Sequence, residues 1–246
     1  MNPLNIVEGR IERRLLVNLR VDPQALAPVL PEPFRPLLID GWAIAGMCLI
    51  RLTGLRPAAA PGRSGLTTEN VAHRIAVEWD GHGERRTGVW IPHRHTSSRL
   101  TVALGGRAFP AVHTFADFDV DDQGDAISIA VTRHGTPLVS VSATASDDVT
   151  TTSVFRSMAE ADTFFQSGST GVSPTKRHGR SDVVDLSVSN WNLKPLNLVS
   201  AHSSIFEGWW SIGQAAEWDS AFIMRDMACS WHGAEGVDTE RVLAGR

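Results

Sequence analysis

The sharpest local grouping of chemically competent side chains is His93-Arg94-His95. On an extended backbone, residues i and i+2 project to one face, so the two imidazoles stand side by side. Such a pair can move protons near neutral pH. It also offers two nitrogens to a transition metal, with His113 or Glu69 to complete a set. His-x-His runs are common where no metal binds, so a polar pocket rim is the plainer reading, and neither a metal nor a cofactor is assigned. Arg20 stands at a strand end just before Asp22-Pro23. A guanidinium held in a low-dielectric pocket grips both oxygens of a carboxylate or enolate. Nucleophiles are scarce. No Gly-x-Ser-x-Gly elbow is present, and Cys48 lies in an apolar run and reads as an inert core thiol. Only two lysines occur, Lys176 and Lys194, against 21 arginines. Lys194 precedes Pro195 at an expected strand break, where a snorkelling surface lysine is the plainer reading.

The bulk properties narrow the partners. Net charge is −4 over 246 residues, and the basic runs at 10–14 and 176–180 are short, so no nucleic acid is expected. Two cysteines make no disulfide framework, and a reducing, cytoplasmic setting is expected. Segment 1–14 is too charged for a signal peptide. The longest apolar run, 42–50, is too short to cross a bilayer, so no membrane association is expected.

These residues need elements to hold them. Residues 11–20 read as a strand, and Asp22-Pro23 opens a short helix over 24–30 that Pro31 stops. Residues 42–52 read as a buried strand. Val71, His73, Ile75, Val77 and Trp79 alternate with Ala72, Arg74, Ala76 and Glu78, the mark of another. Gly81-His82-Gly83 turns the chain into a partner strand at 85–91. Thr96 or Ser97 caps a helix over 98–104, which Gly105 ends. Strands are predicted at 113–120 and 126–133, joined by a hairpin turn at 121–125, and at 136–145, 182–193 and 196–206. A short helix is predicted at 158–165 and a polar loop at 166–180. Trp218 and Phe222, four apart, point to a helix over 217–228, and residues after His232 are expected to be loose.

The run Leu-Arg-Val-Asp-Pro-Gln-Ala-Leu at 19–26, leading into Val29-Leu30-Pro31-Glu32-Pro33, resembles the N-terminal segment of acetoacetate decarboxylase. So does the helix at 100–104 followed by Gly106-Arg107 and Phe109-Pro110. Phe164-Phe165, Ser173-Pro174 and segment 218–226 resemble an uncharacterised bacterial branch of that superfamily, one lacking the Schiff-base lysine. The resemblance implies an α+β, mainly β fold. This is a curved antiparallel β-barrel with a few short helices, one domain over 1–246, a small pocket and a homo-oligomer. In acetoacetate decarboxylase two adjacent lysines follow the aromatic-Pro pair, and one forms a Schiff base with the substrate ketone. The matching positions here are Ala111 and Val112. Arg20 falls on the family's pocket arginine, and Glu69 lies near its pocket carboxylate.

The expected function is therefore a pocket for a small molecule, an oxo acid or related carboxylate, in a lyase- or hydrolase-like enzyme that forms no Schiff base. Arg20, Glu69, His93, His95 and His113 are the expected catalytic residues. Arg20, Phe109, Ala111, Val112 and Trp90 are expected to contact the ligand. A non-catalytic ligand-binding protein and a metal-dependent enzyme using His93 and His95 are the alternatives.

Overall fold

The computed structural model describes residues 6–59, 65–81, 83–105, 111–176, 179–210 and 213–239. Three long strands begin the chain's architecture: β1 (Ile6–Val21), β4 (Trp42–Pro57) and β5 (Leu66–Gly81). Between the first two lie helix α1 (Pro23–Leu26), a 3-10 turn (Ala27–Val29) and the short β2 (Arg35–Pro36) and β3 (Leu38–Ile39). Asp22 caps α1 by accepting from the Gln24 N–H at 2.9 Å. Strand β6 (Glu84–Thr96) and helix α2 (Arg99–Leu104) follow. The cap of α2 is Ser98, which accepts from the Thr101 N–H at 3.1 Å, rather than Thr96 or Ser97. Next come β7 (Thr114–Phe115), β8 (Asp117–Asp122), β9 (Ala126–Arg133), β10 (Thr136–Ala145) and α3 (Met158–Ser167). The chain closes with β11 (Thr170–Pro174), β12 (Arg180–Val188), β13 (Lys194–Ser203), α4 (Ser204–Trp209) and β14 (Ala216–Asp238).

Hydrogen-bonded neighbours run β1-β4-β5-β6-β11-β12-β14, and β14 pairs back onto β1. Seven strands thus form a ring. From β14 the pairing also branches through β13 to β10, β9 and β8, a second layer. The shared wall of β1, β4 and β5 is apolar on both faces. Leu15, Val17, Leu19, Met47, Val71 and Ile75 pack outward against Ile129, Val131, Val141 and Leu196 of the second layer. Leu16, Cys48 and Ala76 point inward, where Phe155, Phe165 and Phe222 fill one end of the ring. Pairing is mostly antiparallel, with short parallel contacts at β11–β6 and β6–β7.

Five stretches differ from the sequence reading. Residues 189–193, expected as strand, lie beyond the end of β12 at Val188. Segment 217–228 is not helical; it belongs to the 23-residue β14. Ala221 and Ile223 pack on the outer core and Phe222 and Met224 on the inner one, so burial of both faces erases the period-2 signal. Residues beyond His232 continue that strand, because Arg180–Val188 pairs with them out to Asp238. The polar stretch 166–180 contains β11, held between β6 and β12. Residues 204–206, read as strand, begin α4, whose cap is Ser203.

Candidate functional site

A cavity of about 190 Å³ lies inside the ring, and every one of the seven ring strands contributes to its wall. Its polar lining is Arg14, Cys48, Asn70, Arg74, Arg94, His95, Thr101, Ser169 and His113. Leu52, Ile91, Val184, Leu186 and Trp231 supply much of the apolar remainder. Among the described residues, no Asp or Glu and neither lysine lines it. Lys176 and Lys194 are both exposed.

Strand register sets where the three arginines stand. Arg14 is level with Ile50 and Asn70. One inward step along, Leu16, Cys48, Ala72 and Arg94 form the next row. A further step brings Asn18, Gly46 and Arg74 together. Gly46 is required there, since a Cβ would sit 2.4 Å from the Val17 carbonyl oxygen. Strand β6 carries a bulge: Trp90 opposes Ile75 and His93 opposes His73, leaving Ile91 and Pro92 against Arg74 alone. The extra residue accommodates Pro92, which has no N–H to give to the ladder. It also changes the facing downstream, so Ile91 and Arg94 both line the cavity while Trp90 packs in the outer core.

Each arginine is anchored by neutral groups. Arg74 donates to Asn18 Oδ1 at 2.5 Å and lies 5.2 Å from the Phe165 ring centroid. Arg94 donates through Nε to Ser173 Oγ at 3.1 Å. Arg14 reaches Cys48 Sγ at 3.4 Å and lies 5.9 Å from the Trp191 ring centroid. Burial lowers Arg74 and Arg94 to about 10, so both stay protonated at neutral pH. Four buried polar atoms of the lining residues have no hydrogen-bond partner: Arg74 Nε, His95 Nδ1, Thr101 Oγ1 and His113 Nδ1. Burial, with the nearby Arg94 charge, lowers His113 to about 4, so its imidazole is neutral near pH 7.

Of the residues singled out from sequence, the structure brings His95, His113 and Ala111 to this cavity. Ala111 adopts φ 66° and is held by its N–H on Asp182 Oδ2 at 3.1 Å. The others lie elsewhere. Arg20 donates to Glu217 and to the Thr152 carbonyl, with Asp219 at 3.8 Å, a structural ion pair under Trp42. Glu69 accepts from Arg13 at 2.6 Å and Arg51 at 3.0 Å. His93 is exposed, 5.5 Å from the Trp209 ring. Trp90 packs on Phe34, and Val112 is exposed and absent from the cavity wall. Phe109 falls outside the described residues.

His93 and His95 do share a face, that of His73, and His95 also borders the cavity. Their rings lie 6.5 and 6.1 Å from that of His73, itself hydrogen-bonded to Ser203 Oγ at 3.0 Å. Among the described residues, no group of three or more His, Cys, Asp or Glu side chains is placed to hold a metal ion. No helix among them is long and apolar enough to cross a membrane. Sequence reading missed Arg14, Arg74 and Arg94. The available signal was Arg74 flanked at i±2 by Ala72 and Ala76, a charge on an otherwise small, apolar strand face.

Ring and second layer together make up a fold like that of acetoacetate decarboxylase. Acetoacetate decarboxylase from Legionella pneumophila superposes with a TM-score of 0.67 at 10% identity, over 95% of this chain and 87% of that one. An acetoacetate decarboxylase-like enzyme from Sphingomonas wittichii gives 0.58 at 14% identity, over 96% and 92%. The enduracididine biosynthesis enzyme MppR, solved with pyruvate, gives 0.54 at 14% identity, over 95% and 89%. At these identities the likeness is one of fold. No curated protein matches the chain in sequence. Residues 9–208 match DUF2071, a family described as an uncharacterised conserved protein, and the chain belongs to that family.

Proposed function

We propose that this protein binds a small carboxylate, an oxo acid or related metabolite, inside the seven-strand ring and acts on it as an enzyme that forms no Schiff base. One observation carries the reading: three guanidiniums face a cavity that, among the described residues, is lined by neither a lysine nor an acid. Buried cations without counter-ions are costly unless a ligand supplies the missing charge. The cavity's volume, about 190 Å³, is below the ~300–1,000 Å³ of drug-sized sites and suits a metabolite of a few carbons. Guanidiniums fixed in a water-poor space would also stabilise an oxyanion developing on the substrate. Neutral His113, with Nδ1 unpartnered, is the proton-handling candidate. The two free thiols suit a cytoplasmic setting.

The test is incubation of the protein with small oxo acids, following products by NMR, with borohydride trapping in parallel. Product formation without a trapped adduct, abolished in Arg94→Met, is expected. A borohydride adduct on either lysine would overturn the Schiff-base-free reading. A second reading, a non-catalytic binding protein, is favoured by the position of His95 and His113 near about 4, which makes both weak bases at neutral pH. Saturable binding with no product over many hours would select it.

A further inference from the structure

We infer that the cavity is built for a short dicarboxylate, with its two charges at opposite ends, rather than for a monoanion. The inference rests on the carboxylate reading above and names the class of carboxylate. A monoanion would neutralise one of three guanidinium charges and leave two facing each other across a small, low-dielectric space. There, repulsion is far stronger than in water. A dianion leaves one.

The arrangement of the charges decides which kind of dianion fits. Arg14, Arg94 and Arg74 belong to three successive inward rows of the wall. Successive rows are two residues, about 6.7 Å, apart along the strands. The anchors set the charges on different walls: Arg94 is held on Ser173 of β11, whereas Arg14 and Arg74 are held on Cys48 of β4 and Asn18 of β1. Two carboxylates joined by a short carbon chain match such a separation; a single tetrahedral dianion does not. Ala72 and Ala111, together with Val184 and Leu186, give the carbon chain an uncharged wall. A Cβ at Gly171 would crowd Ile91 Cδ1 at 3.3 Å and touch Arg94 Nη2 at 3.5 Å. At the Arg74 end the guanidinium is 3% exposed as a residue, tied through Nη2 to Asn18, and its Nε is unpartnered. Cys48, Asn18 and Ser173, which anchor the three, are neutral, so the charge is held in place but not cancelled.

Calorimetric titration of the wild-type chain with succinate, butyrate and inorganic phosphate tests this. Succinate and butyrate have the same number of carbons and differ by one charge. Succinate is expected to bind at least about ten-fold more tightly than butyrate, the worth of one more charge-assisted pair. Arg14→Met is expected to bring succinate down towards butyrate. Equal affinity for the two acids would overturn the dicarboxylate inference while leaving the carboxylate reading intact. Phosphate binding more tightly than succinate would overturn the two-ended arrangement. Failure of both acids to bind at millimolar concentration would remove the carboxylate reading itself.

Discussion

Arg13 and Arg14 are neighbours in sequence and opposites in the fold. Arg13 points to the outer face of the wall, where it is 2% exposed and meets Glu69 at 2.6 Å and Asp122 at 3.6 Å. Asp122 is shared with Arg225, whose guanidinium grips it through two nitrogens at 2.7 and 2.8 Å. The outer face thus holds a closed network in which each buried charge has a partner. Arg14 points inward and meets a thiol and an indole. Arg74 and Arg94, further along the same inner face, meet an amide, a phenyl ring and a hydroxyl. Compensated arginines hold the layers together; on the proposed function, the uncompensated ones, held at a cost to stability, mark where a ligand supplies the missing charge.

The comparison can be broken at several points. The largest expected effect is that of pH, because histidines are buried on both sides of the wall. His73 is held well below its usual value by burial and by His95 and His93, while His95 and His113 lie at about 4. The unfolded chain takes up these protons near its usual pKa of about 6.5 and the folded chain does not, so stability falls as pH drops from about 6.5 towards about 4. Urea titrations at pH 7.5 and 5 are expected to show the loss, and His113→Asn to remove the inner side's share. Next, Glu69→Ala strips the closer partner from buried Arg13. It is expected to cost about 3 kcal/mol in urea unfolding while leaving anion binding unchanged. Asn18 links the two arrangements, accepting from Arg74 and donating to Ser220 Oγ at 3.1 Å. Asn18→Ala is expected to cost about 1–2 kcal/mol and to weaken anion binding by freeing Arg74. At the small end, Lys194→Ala removes an exposed side chain and is expected to shift stability by less than about 0.5 kcal/mol, with no effect on binding.

Much of the fold was legible from strand periodicity and turn chemistry, because β5, β9 and β10 each show it over a run of residues. β14 was not, since both its faces are buried and a chance four-residue spacing of Trp218 and Phe222 imitates a helix. The site was legible only in part. Alternation correctly separates Val71, His73 and Ile75 from Ala72 and Arg74, but the second set reads as solvent-facing when only one layer is considered. The ring makes it the lining of a cavity. The bulge at Ile91-Pro92 decides which way Trp90 and Arg94 point, and no local pattern announces it. Arg20 and Glu69 carry the right chemistry, but ion-pair partners brought from distant strands occupy them.

The most direct test is a pair of thermal melts, wild type and Arg74→Met, each with and without succinate. If the inward arginines are held uncompensated for a ligand, the variant melts no lower than wild type when unliganded, and succinate raises only the wild type. A variant that melts well below wild type, yet keeps the full succinate-induced rise, would contradict that claim.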